Sequence, residues 1–138
     1  MKVLNIFTDG ASSGNPGPGW AMWIMGKFQI SNSKLQIIRR RRVRLDHCTN
    51  NDAEYKGVIY ALEDLIKHTE LYKDYNEIKF NIDSKLVVQQ LNGIFKIKHP
   101  KMREYVFKVN GLLNQINLPI IFKYIPREEN LADALKFD

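Results

Sequence analysis

The chain has 138 residues, 44% of them apolar and 26% charged, and its net charge is +6. This length and composition predict one globular domain over residues 1–138, with a core that needs no disulfide. Cys48 is the only cysteine, which excludes an internal disulfide and a cysteine-based zinc site, and no apolar run is long enough to span a membrane. We therefore expect a soluble, cytoplasmic protein whose basic excess favours a polyanionic partner.

The first predicted element is a short buried strand over residues 3–7, followed by Asp9 and a turn rich in Gly and Pro over residues 10–19. A short apolar run with these boundaries favours a strand over a helix. A carboxylate at the edge of a core strand loses hydration and needs polar partners or a bound cation. Asp9 is therefore either the first residue of the turn or a functional group. The turn lacks the glycine spacing and the closing Lys-Ser/Thr of a phosphate-binding loop.

A second strand is predicted over residues 20–25 and a third within residues 28–45, joined by a tight turn at Gly26-Lys27. The third strand carries the strongest charge run, residues 39–44, whose side chains alternate between two faces. One face then holds Arg40, Arg42 and Arg44, and the other holds Arg39 and Arg41 with Ile37, Val43 and Leu45. These arginines either keep an edge strand from pairing further or contact phosphates, and both roles are compatible.

The most regular predicted helix begins near Thr49 and runs to about His68. Its apolar residues recur at helical spacing, at Val58, Ala61, Leu62, Leu65 and Ile66. Glu54 lies one turn before Val58, at the lip of the buried face and directed toward the sheet. The alternative is structural, since Asn51 and Glu54 have the spacing of a capping box.

A fourth strand over residues 78–82 ends at Asp83, and Ser84 is a good N-cap for a helix through Leu91. A carboxylate after the carboxyl end of a strand is where open α/β sheets place functional groups. The alternative is that Asp83 and Ser84 together cap the helix.

The last third of the chain predicts a helix over residues 100–117, a fifth strand over residues 120–125 and a charged loop over residues 126–129. Asn130 caps a short final helix with Asp133 in its first turn. The helix dipole favours an acid at that position in any case.

This order of elements predicts a mixed sheet with helices packed on it, in which the first and fourth strands are neighbours. Asp9 and Asp83 would then lie side by side, with Glu54 and Asp133 nearby. Four converging acids repel one another unless a cation lies among them. Carboxylate oxygens suit Mg²⁺ or Mn²⁺, and two such ions about 3.5–4 Å apart support phosphodiester hydrolysis without a Ser or Cys nucleophile.

Four motifs, in this order, resemble type 1 ribonuclease H: residues 7–11 with 14–19, 49–54, 82–84 and 126–135. The resemblance covers nearly the whole chain. It implies an α/β ribonuclease H-like fold, a five-stranded mixed sheet flanked by helices. It also implies Asp9, Glu54, Asp83 and Asp133 as catalytic ligands of two Mg²⁺ ions, with Mn²⁺ as a substitute. The implied activity is endonucleolytic cleavage of the RNA strand of RNA–DNA hybrids, leaving 3′-hydroxyl and 5′-phosphate ends.

The resemblance also implies substrate contacts. Asn15, Asn50 and Asn51 match amides that reach into the minor groove, and Thr49 matches a residue that holds a DNA-strand phosphate. Ser12 lies in the segment that passes the RNA 2′-hydroxyls, one of which Glu54 can contact besides its metal. A-like duplexes are recognised through 2′-hydroxyls and backbone, so we expect little sequence specificity.

The chain departs from the family pattern at three places. The loop before the last helix lacks the histidine found in many members, as in an archaeal and bacterial subgroup, so we expect Arg127 or Glu128 to fill part of its role. The segment over residues 91–100 is too short for the basic protrusion of some members, which leaves binding to Lys96, Lys98, Lys101 and Arg103 or to the third-strand arginines. The short last helix leaves room for a partner or dimer contact, although we expect a monomer.

Two alternatives remain at this stage. A catalytically inactive hybrid-binding module could use the same fold, because fold alone does not confer activity. A DNA-directed nuclease of the same superfold is the other alternative. The four acids argue against the first, and the amides of Asn15, Asn50 and Asn51 argue for a hybrid over duplex DNA.

Overall fold

The computed structural model describes residues 1–94 and 96–137. The strands are β1 (Val3–Ser12), β2 (Gly17–Phe28), β3 (Leu35–Cys48), β4 (Glu77–Ile82) and β5 (Ile120–Tyr124). The α-helices are α1 (Asn50–Lys67), α2 (Lys85–Leu91) and α3 (Pro100–Leu113). Short 3₁₀ helices cover Thr69–Leu71, Arg127–Glu129 and Leu131–Phe137. None of the helices in the described ranges is long and apolar enough to cross a membrane.

The five strands form one sheet in the order β3-β2-β1-β4-β5. β1 pairs antiparallel with β2 and parallel with β4, and β4 pairs parallel with β5. The predicted five-stranded mixed sheet, with the first and fourth strands adjacent, is therefore confirmed. Because β1 and β4 are parallel neighbours, their carboxyl ends lie together at one edge of the sheet, and β3 is an edge strand.

The two faces of the sheet carry different cores. The larger core joins the sheet to α1, α2 and α3, and it includes Leu4, Ile6, Leu62, Phe80 and Val109. On the opposite face a smaller cluster contains Phe7, Met22, Ile24, Ile125 and Ala132. Ala132 belongs to the 3₁₀ helix Leu131–Phe137, so this last segment packs on that face.

The predicted turn at Gly26-Lys27 is wrong. β2 continues to Phe28, and the turn closes between Gln29 and Lys34, whose backbone N–H and carbonyl are 2.9 Å apart. A Cβ on Gly26 would lie 2.4 Å from the carbonyl oxygen of Gln36. The glycine therefore permits close approach of β3 within the sheet, a role that the sequence cannot distinguish from a turn.

The predicted face of Ile37 is also wrong, because the pairing of β2 with β3 is irregular between Met25 and Gly26. An extra residue at this bulge reverses the alternation of the strand. Ile37 therefore lines a hollow together with Arg40, whereas Arg39 faces α1. From Arg39 to Leu45 the pairing is regular, and the predicted alternation of the arginines holds there.

Two helix ends differ from the predicted ones. α3 ends at Leu113, not near residue 117, because the chain turns after Asn114 and buries Ile116 in the larger core. The last helix is a 3₁₀ helix. α1 and α2 begin where the sequence predicts, with Thr49 and Ser84 as N-caps.

Candidate active site

Two glycines bring α1 unusually close to β1. A Cβ on Gly10 would lie 2.2 Å from the backbone carbonyl carbon of Ala53, a distance that no real side chain tolerates. A Cβ on Gly57 would lie 3.0 Å from the carbonyl oxygen of Asp9. Only glycine has no Cβ and allows such contact between backbones. The close packing places Glu54 against the end of β1, next to Asp9.

Three carboxylates converge at this edge of the sheet. Asp9, Glu54 and Asp83 each offer one oxygen, and these oxygens all lie within 4.8 Å of one another. Asp9 and Glu54 are buried, at 2% and 8% exposure, whereas Asp83 is half-buried. The Asp9 carboxylate also accepts a hydrogen bond of 2.8 Å from the N–H of Gly10. β1, α1 and the end of β4 thus each contribute one acid.

The electrostatics of the cluster favour a bound cation. Burial raises the pKa of Glu54 well above its usual value, and the neighbouring charges of Asp9 and Asp83 raise it further. Among the described residues, Oε2 of Glu54 is buried and has no hydrogen-bond partner. A buried carboxylate oxygen left in this way is costly unless a cation binds it. Three carboxylates are the hard oxygen donors that Mg²⁺ and Mn²⁺ prefer, so the residues fit a divalent ion.

The structural alternatives for Glu54 and Asp83 do not apply. The capping box of α1 is formed by Thr49 and Asp52: Thr49 Oγ1 accepts from the Asp52 N–H at 3.0 Å, and the Asp52 carboxylate accepts from the Thr49 N–H at 2.9 Å. Glu54 takes no part in it. At α2, the Ser84 hydroxyl accepts from the Val87 N–H at 3.3 Å, so the serine alone provides the side-chain cap.

Asn130 is a site residue whose role the sequence did not reveal. Its side-chain amide donates to Asp83 Oδ2 at 3.1 Å and to the Thr8 carbonyl at 2.8 Å. Its Oδ1 accepts from the Ala132 N–H at 3.1 Å, which is the predicted capping contact. The link to Asp83 spans 47 positions of the chain and leaves no local sequence signal.

Asp133 lies in the 3₁₀ helix Leu131–Phe137, half-buried, and its N–H donates to the Asn130 carbonyl at 3.2 Å. Within the described ranges, the 4.8 Å cluster joins three carboxylates and Asp133 is not one of them. Its role as a fourth ligand stays a prediction.

A hollow of about 430 Å³ opens over the three acids. It is lined by Gly10, Ala11, Asn50, Asn51, Glu54, Asp83, Ser84 and Arg127. Arg127, one of the two residues expected to replace the missing histidine, therefore lies at the acids. Both Arg127 and Glu128 are exposed, but Glu128 is not among the lining residues.

The predicted amides tie the turn after β1 to the start of α1. Oδ1 of Asn50 accepts from the Ser12 N–H at 3.1 Å, and Oδ1 of Asn15 accepts from the Asn50 N–H at 2.8 Å. With these oxygens occupied, the side-chain NH₂ groups of Asn15 and Asn50 are the groups left to donate to a ligand.

A second hollow adjoins the first and shares Asn50 and Asn51 with it. Its other polar lining residues are Asn15, Thr49, Asp52, His99, Lys101 and Tyr105. Lys101 and Tyr105 both bind Asp52 in this hollow. Nζ of Lys101 lies 3.1 Å from Asp52 Oδ1, and the Tyr105 hydroxyl donates to the same oxygen at 2.7 Å. Burial opposes ionisation of Asp52, but hydrogen bonds from Thr49, Tyr105 and Lys101 outweigh it and hold the pKa of Asp52 far below its usual value.

The family model described as RNase H matches residues 1–125 of the chain. The chain is 36% identical over 142 residues to the bifunctional protein Rv2228c of Mycobacterium tuberculosis (strain H37Rv). This alignment covers 100% of the chain and 35% of the mycobacterial protein. It is 32% identical over 133 residues to ribonuclease HI of Halobacterium salinarum (strain NRC-1). That alignment covers 96% of the chain and 61% of the halobacterial protein.

The structure of LC11-RNase H1 in complex with an RNA/DNA hybrid is similar, with a TM-score of 0.82, 32% identity and coverage of 96% of this chain and 92% of that one. The chain spans about a third of the length of the mycobacterial protein and less than two thirds of the halobacterial one.

Proposed function

Because this chain belongs to the RNase H family, we propose that it is a ribonuclease H that hydrolyses the RNA strand of RNA–DNA hybrids. Its mixed five-stranded sheet with flanking helices is the ribonuclease H-like α/β fold. The observation that carries the proposal is the convergence of Asp9, Glu54 and Asp83 within 4.8 Å, where the pairing of β1 with β4 ends at Thr8 and Ile82.

These three residues would hold two Mg²⁺ ions, with Mn²⁺ as a substitute and Asp133 as the predicted fourth ligand. When bound, such ions lower the pKa of an attacking water and stabilise the leaving oxygen. The buried, unpartnered Oε2 of Glu54 supports this role, because it lies beside two other acids and accepts from none of the described residues.

The surrounding side chains would position the hybrid. The amides of Asn15, Asn50 and Asn51 face the hollows on and beside the acids, where they can donate to minor-groove acceptors. Thr49 lines the adjoining hollow, where a DNA-strand phosphate would lie, and Ser12 follows the residues that line the acid hollow. Arg127 provides a guanidinium beside the acids, which suits a phosphate or a developing negative charge.

The proposed reaction is a hydrolysis at phosphorus. A water oxygen forms the new bond to phosphorus while the bond to the 3′-oxygen of the preceding nucleotide breaks. The departing 3′-oxygen takes up a proton, so the products are a 3′-hydroxyl and a 5′-phosphate. No side-chain nucleophile is consumed, which fits a site built from carboxylates.

Cleavage of an end-labelled RNA annealed to DNA tests this proposal, with duplex DNA, duplex RNA and EDTA as controls. We expect cutting of the RNA strand that requires Mg²⁺ or Mn²⁺ and is lost in Asp9→Asn. Tight hybrid binding without cutting in either metal would indicate a binding module. Cutting of duplex DNA in preference to the hybrid would indicate a DNA-directed nuclease.

We also propose that the chain acts as a monomer in the cytoplasm. Its one cysteine, Cys48, has no second cysteine to form an internal disulfide, which supports a reducing compartment. Light scattering during size exclusion tests the oligomeric state.

A further inference from the structure

A third hollow continues from the acid hollow on the side of Ala11. It is lined by Ala11, Ser12, Ser13, Pro18, Gly19, Trp20 and Arg44, and Ala11 belongs to both hollows. Ala11 of β1, Trp20 of β2 and Arg44 of β3 are direct register partners in the sheet. This row therefore leads from Ala11, which lines the acid hollow, to the edge of the sheet across three adjacent strands, about 10 Å at ordinary strand spacing.

Arg44 ends this row, and Arg42 precedes it by two residues on the same face of β3, opposite Met22. We call Trp20, Arg42 and Arg44 the arginine platform. The guanidinium carbon of Arg42 lies 4.2 Å from the centre of the Trp20 ring, a close cation–π contact. Arg44 is 63% exposed, and its partner Asp46 is fully exposed at 3.9 Å, so this ion pair holds it only weakly. The platform thus presents a stacked, oriented guanidinium beside an accessible one.

The other arginines of the run have different surroundings. Arg39 binds the Asp64 carboxylate through Nε at 2.6 Å and a terminal nitrogen at 2.8 Å, which makes it part of the packing of β3 on α1. Arg41 is exposed, and one of its terminal nitrogens donates to the carbonyl of Arg40 at 2.9 Å. Regular alternation places Arg41 on the face opposite to Arg42 and Arg44.

We propose that the arginine platform binds the sugar-phosphate backbone of the RNA strand beyond the cleavage position. This inference rests on the proposed function. The RNA strand must pass over the acids to be cut, and the platform hollow is the continuation of the acid hollow on the Ala11 side. The hollow of Thr49 and Lys101 adjoins the acid hollow on a different side, through Asn50 and Asn51. We therefore assign that second hollow to the DNA strand of the hybrid.

The chemistry of the platform suits a backbone. Guanidinium groups bind phosphate oxygens with two parallel hydrogen bonds, and an A-like duplex offers backbone and 2′-hydroxyls at its accessible surface. Protection of an edge strand by charge would be served equally by Arg41. Edge protection does not explain why Trp20 stacks under Arg42. Nor does it explain why Arg44 lines a hollow that adjoins the acid hollow at Ala11.

The test compares Arg42→Gln and Arg44→Gln, singly and together, with Arg41→Gln, a control that removes one positive charge from the same strand on the opposite face and so matches each single variant. All variants carry Asp9→Asn so that the RNA stays intact, and thermal unfolding verifies that each is folded. We expect the double variant to bind the hybrid about tenfold or more weakly. Its slope of log affinity against log salt should fall by roughly 0.9 for each lost phosphate contact, and Arg41→Gln should change neither quantity.

Overhangs identify the strand. A short hybrid is extended by a single-stranded RNA or DNA overhang at each end in turn, and binding is measured for each. We expect one RNA overhang to raise the affinity, and this gain should vanish in Arg42→Gln/Arg44→Gln but persist in Arg41→Gln. A gain that comes only from a DNA overhang would overturn the strand assignment.

Equal binding by the double variant and Arg41→Gln would overturn the platform itself. Binding is read separately from cutting. A wild-type chain that binds hybrid but never cuts it would therefore count against the proposed function, while the comparison of the variants would still decide on the platform.

Discussion

The side-chain amide of Asn130 donates a hydrogen bond of 3.1 Å to the carboxylate of Asp83. The same nitrogen donates to the carbonyl of Thr8 at 2.8 Å, and Asn130 is only 5% exposed. One amide thus connects the end of β4 to β1 just before Asp9. The geometry of the acid cluster therefore depends on a residue that is not an acid.

We expect Asn130→Ala to lower cleavage strongly, because Asp83 loses the donor that orients it, and to cost about 1–3 kcal/mol of stability from unsatisfied buried groups. Cleavage rate and urea unfolding measure the two effects. The matched control is Asn92→Ala, since Asn92 also donates its amide to a carbonyl, that of Phe122 at 3.2 Å. Asn92→Ala should lose stability but keep its activity, and equal activity losses in both variants would contradict the positioning role.

Removing the charge of Glu54 should abolish most of the stabilisation of the fold by Mg²⁺. Wild type is expected to gain thermal stability when Mg²⁺ replaces EDTA, because an ion that binds only the folded state stabilises it. Glu54→Gln should lose most of that gain and lower cleavage by at least about 100-fold. In EDTA it should be no less stable than wild type, since burial and neighbouring acids raise the pKa of Glu54 and oppose its charge. The control Glu104→Gln removes an exposed charge on α3 and should keep the stability gain of wild type. If Mg²⁺ stabilised Glu104→Gln as little as Glu54→Gln, the result would argue against a metal site at Glu54.

The contact of Gly10 with Ala53 predicts a severe effect of one methyl group. Gly10→Ala would place Cβ 2.2 Å from backbone that cannot move aside, so α1 must shift from β1. We expect a loss of several kcal/mol in stability, on the order of the largest effects of single substitutions, together with loss of cleavage. Gly111→Ala is the control, because Gly111 lies within α3 and nothing approaches its Cβ position within 4 Å. It should gain roughly 0.5–1 kcal/mol. Similar unfolding midpoints for the two variants would refute the steric argument.

Acid should destabilise the protein partly through Asp64. Burial opposes ionisation of Asp64, but hydrogen bonds from Arg39 and from the Trp23 indole at 2.9 Å, with the charge of Arg39, outweigh it and hold its pKa below the usual value. A carboxyl whose pKa is lower in the folded state stabilises the fold above its unfolded pKa of about 3.9, and this stabilisation is lost as the pH falls through the folded pKa. Urea unfolding between about pH 6 and pH 2 should show a smaller decline in Asp64→Asn than in wild type. Parallel declines would exclude this contribution.

Arg127 should contribute more to the cleavage rate than Glu128. Both residues are exposed, but Arg127 lines the acid hollow and Glu128 does not. We expect Arg127→Ala to lower kcat by about 10–100-fold, as for loss of one charge-stabilising group. Arg127→Lys should recover part of it, and Glu128→Ala should have the smaller effect. Unchanged turnover in the Arg127→Ala/Glu128→Ala double variant would remove the idea that this loop replaces the missing histidine.

Much of the fold could be predicted from the sequence because its signals are local. The presence of the first strand, the start of α1 at Thr49 and the Ser84 cap of α2 each depend on a few consecutive residues. The predicted extent of the strands was wrong, because β1 continues through Asp9 to Ser12 and β2 begins at Gly17, which leaves only residues 13–16 of the predicted turn between them. The adjacency of β1 and β4 followed from the order of the elements, and with it the meeting of Asp9 with Asp83. The motifs that carry the acids also identified the family.

Local signals failed where one residue type serves two purposes. Gly26 predicts a turn from the sequence, but in the structure it lies in β2 and allows β3 to approach closely. The bulge beside Gly26 places Ile37 on the face opposite to the predicted one. The capping partner of Thr49 is Asp52, which leaves Glu54 for the cluster.

Only the tertiary structure decided the contacts between distant parts of the chain: Asn130 with Asp83, Arg39 with Asp64, and the row from Ala11 through Trp20 to Arg44. The sequence by itself determined which segments contain strands and helices and that Asp83 follows the fourth strand, because backbone preferences and caps act within a few residues. Strand register and helix packing determine which side chains meet across the sheet, and these depend on the close fit of surfaces far apart in the chain.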